Sequence, residues 1–499
     1  MPLTTSLFRR VVPVLTAALL CAAGPAFAAN DALVKLLGLL RDRGSITTEE
    51  YADLVQLADP GAPAAASASA APPAPVTPPA ASSPAPSGQS GLVLPAAPAG
   101  TLTARVQALE KVNQSGDVAK KALAGKWYEK IGLRGYTQFR FSEVAQGDGD
   151  LLEIPADRSV NPAETFMIRR GRFIFSGDAS DRIYLYAQSD FQGSTGAADL
   201  SLQARDLYAD FAIDAAKTWR VRAGLSKVPF GWSNLQSSQN RLALERPDGL
   251  NSAVEGERDF GAYLMWASTE ARQRFKDLVG KGLKGSGDYG VVAAGFYSGQ
   301  GLNRSDVNGE PHLLGRVSYP FRTKGGQYWE LGVAAHKGKY VSTTQAITTG
   351  GATFTPSRPA AGVADDRIGG TFILYPQPLG IEAEWNAGRG PELSTDYRTI
   401  EAKTLHGGYL QASYRLTRRQ AVYTPFARWQ YFDGGRKFGR NAPADHVNEA
   451  DFGVELTPWP EVELTLLYTR TVERTRTSTF PFLAARGANR FGLQFQFNY

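Results

Sequence analysis

The last ten residues, RFGLQFQFNY, alternate without a break. Phe491, Leu493, Phe495, Phe497 and Tyr499 fall on one face of an extended strand, and Arg490, Gly492, Gln494, Gln496 and Asn498 on the other. About ten residues of strand are enough to cross a bilayer, and this texture recurs from Ile131 onward. After the amino terminus no stretch has the roughly 20 consecutive apolar residues that a spanning helix needs. Hydrophobic content of 43% argues against general disorder. A chain that crosses lipid with strands must close them into a barrel, because every backbone polar group has to be paired inside the structure.

Sixteen alternating segments are expected: 131–143, 165–178, 183–191, 207–212, 218–226, 259–266, 289–297, 312–320, 328–337, 367–375, 379–389, 404–416, 423–431, 448–457, 462–471 and 490–499. Short connections alternate with long ones, as periplasmic turns alternate with extracellular loops in such barrels. The connection 267–288 breaks the rule, being long where a turn is due, and implies either a sizeable insertion or a misread strand nearby. Along one segment Trp219, Val221, Ala223 and Leu225 oppose Arg220, Arg222, Gly224 and Ser226. Along another Ile381, Ala383, Trp385 and Ala387 oppose Glu382, Glu384 and Asn386. A basic side chain facing mid-bilayer lipid costs ~2–4 kcal/mol, so the charged faces must meet water and the lumen is wet. Trp127, Tyr128, Trp329, Tyr375 and Trp459 suit interfacial girdles.

The amino-terminal third has another character. Residues 1–28 read as a secretory signal: Arg9 and Arg10, an apolar run from Val11 to Ala23, then Ala26-Phe27-Ala28. Cys21, the sole cysteine, lies within it, so the mature chain has no disulfide or thiolate metal site. Removing Arg9 and Arg10 lowers the formal charge from +6 to +4, a balance too small to point to nucleic acid. Residues 29–58 read as a helical hairpin, 59–100 as an Ala/Pro-rich linker, 101–126 as a short helix or coiled coil with a Leu102, Val106, Leu109, Val112 stripe, and 127–499 as the barrel. An even strand number puts both barrel ends in the periplasm, where residues 29–126 offer a contact for peptidoglycan or another partner.

Several ordered strings carry a resemblance: Phe166-Met167-Ile168-Arg169-Arg170-Gly171-Arg172, Gly224-Leu225-Ser226-Lys227-Val228-Pro229-Phe230-Gly231, Leu244-Glu245-Arg246, Arg258-Asp259-Phe260-Gly261, Gly295-Phe296-Tyr297-Ser298-Gly299-Gln300-Gly301 and Leu314-Gly315-Arg316-Val317. Over residues 127–499 the chain resembles the phosphate-selective porin O/P family. The terminal aromatic Tyr499 is similar to the closing-strand signal of bacterial outer-membrane barrels. The resemblance implies a sixteen-stranded antiparallel outer-membrane barrel, usually a homotrimer, whose third loop, here 227–258, folds into the lumen. The phosphate-specific members carry a lysine-rich constriction. This loop has one lysine, Lys227, and carries Glu245, Asp248, Glu255 and Glu257.

The expected function is passive diffusion of small solutes, preferentially anions such as phosphate, through a water-filled pore. Arg170, Arg172, Arg220 and Arg222 are the expected wall residues, and Lys227, Arg241, Arg246 and Arg258 the loop residues, because guanidinium donors match phosphate oxygens. Arg134 and Arg140 on the first segment belong to the same class, whereas Arg169 falls on the opposite face of a regular strand from Arg170 and Arg172. The loop carboxylates can instead neutralise these cations pairwise, and Asp178 or Asp190 can pair with Arg170 and Arg172 as an unselective wall, leaving a weakly selective general porin. A structural or adhesive barrel working through its loops is the rival class. His312, His336, His406 and His446 lack metal-ligand spacing, and neither cofactor, metal nor catalytic site is expected.

Overall fold

The computed structural model describes residues 126–147, 165–193, 200–349, 351–476 and 484–499, with isolated positions 41 and 48. The expected signal segment, hairpin, linker and coiled-coil stripe therefore lie outside the described residues, apart from those two positions. Sixteen antiparallel strands form the wall: β1 (Gly132–Gly147), β2 (Thr165–Asp178), β3 (Ile183–Gln192), β4 (Ser201–Ala212), β5 (Trp219–Lys227), β6 (Arg258–Trp266), β7 (Val292–Tyr297), β8 (His312–Arg322), β9 (Tyr328–Tyr340), β10 (Val363–Leu374), β11 (Leu379–Leu393), β12 (Ile400–Tyr414), β13 (Ala421–Gly435), β14 (Ala444–Trp459), β15 (Val462–Thr475) and β16 (Ala484–Asn498). A short piece, Leu416–Arg418, prolongs β12, and a hairpin of Ile347–Thr349 and Ala352–Phe354 decorates the β9–β10 loop.

Each strand pairs with its sequence neighbours, and β16 closes on β1 with Phe497 opposite Thr137 and Phe495 opposite Phe139. The seam ends in a two-way backbone clasp: Gly135 N–H donates to Tyr499 O at 2.7 Å, and Tyr499 N–H donates to Gly135 O at 3.0 Å. A Cβ at position 135 would run into the Tyr499 ring, so glycine is required where the closing residue crosses. The aromatic face of β16 turns outward, while Gln494 and Gln496 are buried inside, bonded to Arg140 and Gln138. Phe166, Phe175, Leu207, Trp219, Leu264 and Phe452 are likewise exposed on the outside. Tyr375 departs from the expected girdle: it is 1% exposed and faces inward, where its hydroxyl donates to Glu330 at 2.7 Å and accepts from the Trp232 indole at 3.2 Å. Leu225, expected on the lipid face, is also buried.

Two insertions occupy the interior. The β5–β6 loop, residues 228–257, is sewn to the far wall. Glu384 on β11 accepts from the Trp232 and Ser233 amides, both at 2.9 Å, Asn386 donates to Gly249 O, and Arg367 donates to Ser252 O. Gly231, with φ +77°, turns the loop against Glu384, leaving no room for a Cβ. The second insertion is the long connection after β6. Ser268 caps a helix, Thr269–Gly280, by accepting from Ala271 N–H. Its buried face, Ala271, Phe275 and Leu278, packs with Trp232, Tyr328, Ile373 and Tyr375. Strand β7 accordingly starts at Val292 rather than the expected residue 289, and the insertion alternative is the one realised.

Candidate functional site: the charged lumen

The inner faces of β1–β6 and the loop 228–257 form one ion-pair field. Glu245 reaches back from the loop to β1 and β2, where it binds Arg140 at 2.7 Å, Arg169 at 3.0 Å and Arg170 at 2.8 Å. Arg169 reaches this cluster through a bulge. Gln138 pairs with Arg170 and Phe139 with Ile168, so Arg169 is the extra residue and turns inward. Regular alternation had put it on the outer face.

Each of the eight expected site residues is lumenal and at most 7% exposed. Arg172 binds Asp190 at 2.9 Å, an acceptor shared with Arg205. Arg222 forks onto Asp210 with bonds of 2.7 and 2.9 Å, and Arg220 bonds Asp288 of the second insertion at 2.7 Å. Lys227, Arg241, Arg246 and Arg258 converge on Glu257. Lys227 also donates to the carbonyls of Asn234, Leu235 and Gln236, which makes it a clip for the loop, and Arg258 reaches Asp206 at 2.9 Å. The expected set is thus brought together, but through carboxylates at Asp190, Asp206, Asp210 and Asp288 on neighbouring strands and the second insertion. Asp190 is a partner expected for the β2 arginines, whereas Asp206, Asp210 and Asp288 are supplied by strand register and the second insertion. Arg134 differs from the eight: it is exposed and has no ion pair among the described residues.

Burial alone would raise the Glu245 carboxyl, but Arg169, Arg170 and Arg140 outweigh it and hold the group well below the carboxylate range. Glu257 is depressed in the same way by Arg241, Lys227, Arg258 and Arg246. Asp248 is the opposite case. Burial, then Glu449 and Asp445, push it up to about 7.

Two cavities flank this field. One, of about 270 Å³ on the long-loop side, touches Arg170, Arg205, Arg241, Arg246 and Glu257. The other, of about 490 Å³ on the short-turn side, touches Arg134, Arg220, Arg222, Arg258 and Tyr186. The Glu257–Arg258 ion pair stands between them, its carboxylate lining the first and its guanidinium the second.

Strand pairing also gathers His312, His336 and Asp365 from β8, β9 and β10 into one buried group, which linear spacing did not suggest. Asp365 already binds Lys437 and Arg367. A divalent ion there would add to two positive charges on one carboxylate, so the donor set fits a metal poorly.

A closed barrel with an aqueous, charge-lined interior and an apolar exterior defines an outer-membrane channel protein. The family model for "Phosphate-selective porin O and P" matches residues 143–499, and the chain belongs to that family. Similar solved structures include an anion-selective porin from Comamonas acidovorans at 10% identity, covering 74% of this chain and 99% of that one with a TM-score of 0.42. Salmonella typhi OmpF in complex with daunomycin is 12% identical, with 74% and 97% covered and a TM-score of 0.46. The trimer form of OmpT, an outer-membrane protein of Vibrio cholerae, is 11% identical, with 74% and 99% covered and a TM-score of 0.41. No curated protein matches the chain.

Proposed function

We propose that this porin conducts small anions by passive diffusion, phosphate being the leading candidate, along the β1–β6 wall past a constriction made by its third loop. The observation that carries this reading is an imbalance. Twelve basic side chains (Arg140, Arg169, Arg170, Arg172, Arg205, Arg220, Arg222, Lys227, Arg241, Arg246, Arg258 and Arg272) share six carboxylates, namely Asp190, Asp206, Asp210, Glu245, Glu257 and Asp288. Paired guanidiniums still leave a net positive field, and a narrow low-dielectric lumen focuses it. Fixed positive charge replaces part of an anion's hydration shell and repels cations. In this reading the short-turn end and residues 29–126 face the periplasm, that segment is free to meet peptidoglycan, and three barrels assemble side by side.

A second reading draws on the same ion pairs. Since each of the eight expected residues is tied to a carboxylate, the pore would select weakly and pass neutral solutes as well. A zero-current potential across a planar bilayer under a salt gradient separates the two. Anion preference that falls in an Arg241→Ala, Arg246→Ala double variant and is sensitive to added phosphate supports the first reading. Cation preference, or indifference to phosphate, leaves the general porin.

A further inference from the structure

On the short-turn side the wall carries more than charge. Tyr186 on β3 lies opposite Tyr208 on β4, and their rings stack at 5.0 Å between centroids and 13° between planes. The Arg222 guanidinium covers the Tyr208 ring at 4.0 Å and also approaches the Tyr289 ring at 5.1 Å. Tyr289 belongs to the second insertion, which therefore completes the row from inside the lumen. Across the other side of Tyr186, β2 offers only Ser176 in register, and Ser176 faces Gly132 on β1. Arg134 stands two residues further along β1, opposite Ile174, and lines the same cavity. The row reads gap, ring, ring, cation, ring, and the gap opens into the cavity of about 490 Å³, which Arg134 lines from the neighbouring row of β1.

The occupancy of the cations decides what fits. Arg222 is committed to Asp210 and Arg220 to Asp288, while Arg134 has no ion pair among the described residues. A phosphate ion is held best by several convergent donors. Here two cations of the lining, Arg134 and Arg182, have no ion pair among the described residues; Arg182 is turned to Ile213 O at 3.4 Å, and Arg134 is left beside a half-buried aromatic face. That combination matches a single negative charge on a flat ring. We infer that this chamber is a binding station for aromatic carboxylates, the ring lying on the open face of Tyr186 and the carboxylate on Arg134. The inference rests on the anion-preferring reading above and narrows its solute class. Ring-on-ring contact gives a preference that a saturated ring of equal charge and similar size lacks.

The test uses the full chain in planar bilayers bathed in potassium chloride, with benzoate and cyclohexanecarboxylate as blockers. Benzoate is expected to reach half-block at roughly two- to tenfold lower concentration. Tyr186→Leu is expected to erase that difference while leaving the zero-current potential unchanged, Tyr186→Phe to keep it, and Arg134→Ala to weaken block by both acids. Equal block by the two acids in the unaltered protein overturns the inference, and so does a ring preference that survives Tyr186→Leu. If the leucine variant does not assemble, the comparison in the unaltered protein still decides. A cation-preferring potential would instead remove the underlying reading, whereas anion preference without ring preference removes this inference alone.

Discussion

Glu245 ties the third loop to the first two strands, because three guanidiniums from β1 and β2 meet on it. Removing one partner of a buried ion pair typically costs about 3–5 kcal/mol, since the remaining charges stay buried without compensation. Glu245→Gln is therefore expected to lower the thermal unfolding midpoint and to shift the zero-current potential further toward anions. An unchanged midpoint would show that the loop is held by its other anchors. The pH dependence has two opposed parts. Glu245 and Glu257 are depressed, so their stabilisation is complete above the ordinary carboxylate range near 4.5 and fades as pH falls below it. Asp248 is raised to about 7, so folding takes up its proton between about 7 and 3.8, and stability rises as pH falls through that window. Unfolding midpoints at pH 7.5 and pH 5.5 are expected to differ less in Asp248→Asn than in the unaltered protein. A difference of equal size in both would remove Asp248 as its source.

At the scale of elements, the helix Thr269–Gly280 and the tail that follows it fix the short-turn mouth. Lys284 at the tail bonds Glu455 at 2.8 Å and lies 3.6 Å from Glu463, and Gln236 of the third loop donates to Lys284 O at 2.9 Å. The two insertions thus brace each other inside the lumen. Replacing 269–290 by a short turn is expected to leave a folded barrel with larger single-channel conductance and a noisier third loop. Conductance that does not rise would mean that the constriction lies elsewhere. The starts of β3, β9, β11 and β15 are legible in the sequence, because short turns punctuate the alternation sharply there, and those of β2 and β8 also fall at the expected residues although long loops precede them. At the long-loop end β4 begins at Ser201 rather than 207 and β11 runs on to Leu393 rather than 389. Backbone pairing continues there past the apolar pattern that marks lipid contact. The helix has its own signal, with Ala271, Phe275 and Leu278 at helical spacing after Ser268, but the connection 267–288 is read from the sequence only as an insertion or a misread strand, without a helix. Among the site residues, the four basic side chains of the wall and the four on or beside the third loop were readable from motifs. Asp190 was also readable as a partner of the β2 arginines, but the bulge at Arg169 and the partners Asp206 and Asp210 depend on register between strands, which no local pattern encodes.

For the barrel as a whole, the two insertions divide the short-turn half into chambers of opposite character. The chamber against β1–β6 is lined by eight basic residues, among them Arg134, Arg182, Lys217 and Arg272, and by the four acids Asp178, Asp206, Asp210 and Asp288. The chamber against β10–β15, of about 350 Å³, has Glu382, Glu455 and Glu463 against Lys284 and Arg415. Low-dielectric walls keep these fields separate, so an anion should follow one side of the barrel and a cation the other. The sole cysteine of the chain, Cys21, precedes the expected cleavage site, so single cysteines introduced into the barrel report without background. Ser237→Cys samples the first chamber and Thr457→Cys the second. A negatively charged methanethiosulfonate is expected to modify the first position faster than a positively charged one, by roughly tenfold at low ionic strength. The order should reverse at the second position, and both ratios should shrink toward one at about 1 M salt, where the screening length falls to about 3 Å. Equal ratios at the two positions would mean that the lumen is electrostatically uniform, and would return the wall of arginines to a purely structural role.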